Sequence, residues 1–299
     1  MTTRWVITGC RGQLGRALVR QLEADPDSQT CAAVDLPELD VADPSAVARL
    51  FDGLPAAPHV LVNAAAFTHV DRCEREPEQA QRANAEAPGV LARACSAAGT
   101  RMVHVSTDYV FAGDGDRPYT EADPTEPRGV YGRTKLEGEE RVRQASDEHL
   151  LVRTSWVFGQ GRNFVAAILA QAQARGEASG PLRVVDDQRG CPTYAEDLAG
   201  GIRGLLEAGA RGLYHLAGGG VATWWDLARA SLDATGFEDL AVERIRSVDL
   251  DLDAPRPAWS VLDCSKAEAL GVRLRGWRDA LRAYLESPEA PQRVQAADS

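Results

Sequence analysis

VITGCRGQLGRALV (residues 6–19) is the stretch whose reading decides the fold. A β-branched apolar run ends in Gly9, Gly12 and Gly15, and an amphipathic segment follows at once. Glycines belong at such a turn because it demands unusual dihedral angles, and because a pyrophosphate must come close to the backbone at a helix N-terminus. The spacing is GxxGxxG rather than GxGxxG, and with 27 glycines in the chain the pattern alone is a weak signal. Its position after the first apolar run gives it weight. About twenty residues further on, Asp35 closes the second apolar run, where a carboxylate accepts hydrogen bonds from an adenosine ribose. The plainer alternative is a tight turn with a strand-end aspartate capping a helix.

The same unit recurs downstream. RWVIT (4–8), CAAVD (31–35), HVLVN (59–63), RMVHVST (101–107) and HLLVRTS (149–155) are nearly continuous apolar runs, as strands covered on both faces require. Helical patterns lie between them, the clearest from about Pro77 to Ala98 and from Val130 to Ala145. Alternating strands and helices predict an α/β fold, a doubly wound parallel sheet of Rossmann-like type. After Trp156 the pattern loosens: LRVV and GLYHLAG read as strands, and NFVAAILAQAQARG, TYAEDLAGGIRGLLEAG and TWWDLARASLDATG as helices, the last capped by Thr223. The expected organisation is a dinucleotide-binding domain (1–156), a smaller C-terminal substrate-binding lobe (157–285) whose segment of about 182–216 returns to the sheet, and a disordered tail (286–299).

Composition narrows the function classes. With 44% hydrophobic and 26% charged residues in 299, the chain has the make-up of a globular protein. A net charge of −11 argues against a nucleic-acid partner, whose binding is dominated by phosphate neutralisation. The six cysteines form no CxxC or Cys/His cluster, so neither a metal site nor a disulfide framework is expected. No run approaches the roughly 18 apolar residues of a membrane span. The opening residues pass directly into a strand-like segment, and a cytoplasmic location is the expectation.

YGRTK (131–135) carries the chemistry. Of 33 basic residues only Lys135 and Lys266 are lysines. Tyr131 and Lys135, four apart in a helical pattern, share a face. A phenol can give a proton to a carbonyl oxygen during reduction, and a nearby ammonium lowers its pKa from about 10. A lysine also supplies a compact, rotatable donor for ribose hydroxyls, which a planar guanidinium would serve differently. Ser106 and Thr107 end the fourth apolar run, at the carboxyl edge where open α/β sheets bind ligands. This Ser106–Thr107 pair is the candidate to orient a carbonyl beside Tyr131.

Together these residues resemble the extended short-chain dehydrogenase/reductases, and more closely the dTDP-4-dehydrorhamnose reductase family. The likeness covers most of the chain, through GQLG (12–15), LDVAD (39–43), VNAAAFTHVDRCE (62–74), VHVSTDYVFAG (103–113), YGRTKLEGE (131–139), RTSWVFG (153–159), DQRGCPT (187–193) and RPAWSVLD (256–263). The resemblance implies reduction at C4 of a dTDP-linked 4-keto-6-deoxyhexose, with Tyr131 as proton donor, Lys135 tuning it and holding the ribose, and Thr107 binding the carbonyl or adjusting the tyrosine. It implies cofactor contacts at Gly12, Gln13, Leu14, Asp35, Asp40, Val41, Ala64, Ala65 and Ala66, and positions facing the sugar at Thr107, Asp108 and Trp156. Asn163 and Arg256 are further substrate candidates, Arg256 as a partner for the diphosphate. Gln188 and Arg189 are weaker ones, and Trp224 and Trp225 are expected to pack the smaller lobe.

The coenzyme is NADPH or NADH: Asp35 disfavours a 2′-phosphate, whereas Arg11 in the loop could meet one. Some members of the family bind Mg²⁺ at a dimer contact through acids that include one early in the first helix. Arg16 and Ala17 occupy that turn here, so no metal is expected although Glu196 and Asp197 stand near the second location, and a homodimer is left open. A 4,6-dehydratase would follow its threonine with Asp-Glu, where this chain has Asp108 and Tyr109. An epimerase and a non-catalytic regulatory subunit of the same fold are the remaining alternatives.

Overall fold

The computed structural model describes residues 2–175 and 180–291. β1 (Thr3–Thr8) passes through the glycine turn into α1 (Gln13–Glu23), followed by β2 (Ser28–Val34), α2 (Pro44–Gly53), β3 (Val60–Asn63), α3 (Val70–Arg75) and α4 (Pro77–Gln81). A π-helical turn (Arg82–Glu86) joins α4 to α5 (Ala87–Ala98), and β4 (Arg101–Thr107), a 3₁₀ turn (Asp108–Val110), α6 (Val130–Ala145) and β5 (His149–Thr154) come next. Beyond them lie β6 (Val157–Phe158), α7 (Phe164–Gln173), β7 (Leu182–Val185), β8 (Arg189–Gly190), β9 (Thr193–Tyr194), α8 (Ala195–Glu207) and β10 (Gly212–His215). The chain ends through β11 (Ala222–Thr223), α9 (Trp224–Asp233), β12 (Val242–Ile245), α10 (Ser265–Glu268) and α11 (Trp277–Glu286).

Six strands form one parallel sheet in the order β10, β5, β4, β3, β1, β2. Successive side chains point to opposite faces. Ile7, Val62, Val103 and Val152 therefore pack with Leu18 of α1 and Leu198 and Ile202 of α8, while Val6, Leu61, Met102 and Leu151 pack with Val47 of α2, Leu91 of α5 and Val142 of α6. Burial on both faces is why these strands read as unbroken apolar runs. The chain moves outward from β1 to β2, then crosses back to β3 on the other side of β1. The loops after β1 and β3 thus flank the point where the strand order reverses, the crevice in which doubly wound sheets bind ligands.

A second apolar cluster is built from later segments, with Phe158, Ile168, Leu169, Leu182, Leu227, Leu232, Trp277, Leu281 and Tyr284. The capping box of α9 is present, Thr223 accepting from the Asp226 N–H and Asp226 from the Thr223 N–H. Of the span expected to return to the sheet, β10 enters beside β5, whereas β7 pairs in parallel with β12 in a separate ribbon. A short apolar run announces a strand, but its partner is 60 residues away, Leu182 opposite Val242, and nothing local specifies it. Within the expected tail, Glu286 ends α11 and Glu289 meets the Arg20 guanidinium at 2.6 Å, while residues 292–299 lie outside the described residues. Among the described residues no helix is long and apolar enough to cross a membrane.

Candidate active site

The glycine loop divides its work. Gly9 has φ +74°, and a Cβ there would lie 2.5 Å from the Ala65 nitrogen. A Cβ on Gly15 would lie 2.1 Å from the Gly9 carbonyl oxygen, so α1 rests directly on the loop. Gly12 is the N-cap of α1, and no side chain caps the helix there or places an acid in its first turn. The first N–H groups of α1 are thus left for an anionic group, where the helix dipole favours one.

Beside this loop lies a pocket of about 350 Å³ lined by Gly9, Gly12, Asp35, Leu36, Asp40, Val41 and Ala64 to Ala66. Asp35 accepts the N–H groups of Arg11 at 2.9 Å and Leu36 at 2.8 Å, one on each carboxylate oxygen. Asp40 accepts the Ala42 N–H at 2.9 Å, and the Arg82 guanidinium on its other oxygen holds its carboxyl below the usual range. A larger cavity of about 720 Å³ is lined by Gly12, Gln13, Leu14, Gly15, Thr107, Asp108, Tyr131, Lys135, Trp156 and Trp224. Both cavities include Gly12, Ala64 and Ala66, so they form one groove across the carboxyl edge of the sheet.

Close helix packing seats Tyr131 and Lys135. A Cβ on Gly132 would lie 2.2 Å from the Tyr109 carbonyl oxygen, and one on Gly138 would lie 2.2 Å from that of Asn84 in the π-helical turn. α6 therefore abuts the loop after β4 on one side and that turn on the other. Its N-cap, Gly129, has no side chain, and Glu74 of α3 supplies the missing acceptor to the Val130 N–H at 2.7 Å. Asn84 also clamps the loop after β3, accepting the Phe67 N–H at 2.8 Å and donating to the Phe67 carbonyl at 3.1 Å. π-bulges concentrate at functional sites, and here the bulge meets the helix that carries YGRTK.

The electrostatics follow from burial. Lys135 donates from Nζ to the Val105 carbonyl at 2.6 Å, and burial pushes its ammonium down to about 8. Burial raises the Tyr131 phenol, against hydrogen bonding with the Thr107 side chain. The Tyr109 ring packs edge-on to Tyr131, with centroids 5.5 Å apart. Thr107 Oγ1 donates to Asp108 at 2.9 Å, and burial raises the Asp108 carboxyl to about 6. Deeper in the sheet, Thr8 donates to Asn63 at 2.8 Å and Asn63 donates to Nδ1 of His104 at 3.1 Å. Burial and then the Lys135 charge push His104 well below its ordinary value, so its imidazole is neutral. One turn beyond Lys135, buried Glu139 takes both donors of the Arg153 fork at 2.8 and 2.7 Å.

The remaining candidates separate. Trp156, whose φ of +48° is the only positive value among described non-glycine residues, lies flat on Trp224 with centroids 3.6 Å apart. Its other neighbour is Gly190, where a Cβ would lie 2.5 Å from the indole. Trp224, expected to pack the smaller lobe, also lines the groove, and Gln188 fixes its indole N–H at 2.9 Å. Periodicity could not reveal this, because Trp224 stands in the apolar stripe with Leu227 and Ala228 and packs on their cluster, while its contact with the groove depends on Trp156. Asn163 is not among the groove-lining residues: it caps α7 by accepting the Ala166 N–H at 2.9 Å and donates to Gly159 O, Gly161 O and Tyr284. Arg256 is likewise outside that lining, its guanidinium paired with Asp71 at 2.6 Å behind Tyr109. The acids considered for magnesium already have partners: Glu196 pairs with Arg20 and accepts the Gln21 amide at 2.8 Å, and Asp197 pairs with Arg275 at 3.0 Å. With Arg16 and Ala17 in the first turn of α1, these donors do not fit a magnesium site.

Comparison with known proteins places the chain among sugar-nucleotide reductases. The family model described as "RmlD substrate binding domain" matches residues 3–289. A dTDP-4-dehydrorhamnose reductase of Mycolicibacterium smegmatis is 41% identical, over 94% of this chain and 85% of that protein. A probable dTDP-4,6-dihydroxy-2-methyloxan-3-one 4-ketoreductase of Streptomyces antibioticus is 42% identical, over 93% of each. The crystal structure of dTDP-4-dehydrorhamnose reductase from Bacillus anthracis in complex with NADP superposes with a TM-score of 0.88 at 30% identity, covering 95% of this chain and 99% of that one.

Proposed function

The chain belongs to the RmlD substrate binding domain family, and from that premise we propose that its groove reduces the C4 ketone of a dTDP-linked 4-keto-6-deoxyhexose, dTDP-4-dehydrorhamnose foremost. It is an NAD(P)H-dependent oxidoreductase of deoxysugar biosynthesis. One observation carries the assignment of roles: Tyr131, Lys135 and Thr107 line the same groove as the glycine loop.

The fit to a nicotinamide coenzyme rests on that loop. The uncapped start of α1 suits a pyrophosphate, and the pocket with Asp35, Asp40, Val41 and Ala64 to Ala66 suits an adenosine. When bound, the coenzyme supplies a hydride to the carbonyl carbon. Tyr131 holds the proton that the carbonyl oxygen takes up, and its raised pKa keeps it protonated at neutral pH. Lys135 is the group assigned to stabilise the phenolate left behind, one helical turn away, with its ammonium lowered to about 8 by burial. Thr107 orients the carbonyl through its hydroxyl. Trp156 and Asp108 bound the sugar. Asp35 suits the free ribose of NADH and Arg11 the 2′-phosphate of NADPH, so the groove has a candidate partner for either coenzyme.

An intact Tyr131, Lys135 and Thr107 set supports a catalyst over a regulatory subunit. The test is incubation with a dTDP-4-keto-6-deoxyhexose and reduced coenzyme, following coenzyme absorbance and the new C4 hydroxyl. Net oxidation of coenzyme that Tyr131→Phe abolishes while coenzyme still binds is the expected result. No oxidation with any such sugar would defeat the reading.

A further inference from the structure

The glycine loop holds an ion pair that the reduction chemistry does not use. Arg11 donates its N–H to Asp35 at 2.9 Å and its Nη1 to the Leu36 carbonyl at 2.7 Å, and its Nη2 engages Glu38. Asp35 and Leu36 line the smaller pocket, so the guanidinium is held at the rim where the adenosine ribose would meet Asp35. We propose that Glu38 sets the coenzyme preference of this chain, by occupying the guanidinium that the 2′-phosphate of NADPH would otherwise take. The inference rests on the nicotinamide-coenzyme reading above.

Three observations support it. The pair is open to solvent, with Arg11 and Glu38 side chains 52% and 55% exposed, and exposed pairs contribute little and open readily. The N–H contact to Asp35 is made by the Arg11 backbone, so the side chain can leave Glu38 without disturbing the aspartate. Glu38 is held ionised at neutral pH, first by its own backbone N–H and then by Arg11. With NADH, Arg11 stays on Glu38, and Asp35, which accepts one backbone N–H on each oxygen, takes the ribose hydroxyls on its remaining lone pairs. With NADPH, a phosphate of about −1.5 to −2 charge outcompetes a single carboxylate for the planar guanidinium. Glu38 then remains as an unpaired negative charge beside that phosphate. Arg82, which itself lines the smaller pocket, is tied to Asp40 and is the natural contrast.

The experiment is calorimetric titration of the full chain and its variants with NADPH and with NADH, at low and elevated salt, without any sugar. Glu38→Gln keeps the side chain's size and removes its charge, and should tighten NADPH about fivefold while moving NADH by less than about twofold. Arg11→Gln should weaken NADPH, flatten its salt dependence, and cut the gain from Glu38→Gln to less than about twofold in the double variant, the remainder being relief of repulsion. Arg82→Gln should leave that gain in place. An unchanged NADPH-to-NADH ratio in Glu38→Gln, or a gain undiminished by Arg11→Gln, would overturn this inference alone. Binding of neither coenzyme by the unaltered chain would overturn the coenzyme reading and this inference with it.

Discussion

Lys135 lies 2% exposed with its ammonium donating to the Val105 carbonyl at 2.6 Å, one helical turn from Tyr131 on the same helix. The chain's other lysine, Lys266, is exposed on α10, donates to Leu213 O at 2.7 Å, and sits over the Tyr214 ring. A guanidinium can reproduce both contacts of Lys266, but it is too large and too planar for the buried site of Lys135. Lys135→Arg should lower kcat at least about 100-fold, the scale of a displaced acid–base group, while the circular dichroism spectrum is kept. Lys266→Arg should stay within about twofold. Steady-state kinetics on the two variants checks the contrast, and equal effects would refute it.

The lowered pKa of Lys135 makes an opposite prediction for stability and activity. In the unfolded chain this lysine titrates near 10.4, and in the folded chain near 8. Between those values the unfolded state binds more protons, so stability rises with pH across that window. The cost of the buried charge is fully present below about 8. Lys135→Met should therefore be more stable than the parent at pH 7.5, by on the order of 2 kcal/mol, and lose that advantage by pH 10. Activity of the parent should fall above about pH 8, as the ammonium that stabilises the phenolate disappears. Urea unfolding at several pH values and a kcat/KM profile read the two effects.

Gly132 and Gly138 should resist even alanine. The added Cβ would meet a backbone oxygen at 2.2 Å in each case, and neither Tyr109 nor Asn84 can move without shifting the loop or turn that frames the groove. Each substitution should cost about 2 kcal/mol or more and lose most of the turnover. Gly53, at the end of α2, has nothing within 4 Å of its built Cβ and a backbone open to any residue. Gly53→Ala should be neutral or stabilise by about 0.5 kcal/mol, chiefly through the unfolded state. Thermal melts of the three variants give the comparison.

Trp224 should matter through Trp156. Trp224→Ala removes the face on which Trp156 rests, whereas Trp224→Phe keeps an aromatic plane and loses only the bond to Gln188. The alanine variant should raise KM for the sugar about tenfold with coenzyme affinity unchanged, and phenylalanine should recover most of it. An equal effect on coenzyme binding would show that the stack supports the fold rather than the sugar.

The layered architecture was legible in the sequence because burial on both sheet faces imposes continuous apolar runs, and helices between them impose a different period. VITGCRGQLG and YGRTKLEGE each carry their message locally: a glycine demanded by a tight turn, and a tyrosine and lysine brought to one face by four residues of helix. Tertiary structure alone decided what those segments meet. The partner of LRVV, the capping of α6 by Glu74, the stacking of Trp224 on Trp156, the commitment of Arg256 to Asp71 and the bond of Asn163 to Tyr284 join residues far apart in the chain. No local period records such pairings, since they depend on which surfaces the sheet brings together. The glycines of YGRTKLEGE show both halves of the matter. Their presence is written in the motif, but the carbonyl oxygens of Tyr109 and Asn84 that require them appear only when α6 is docked.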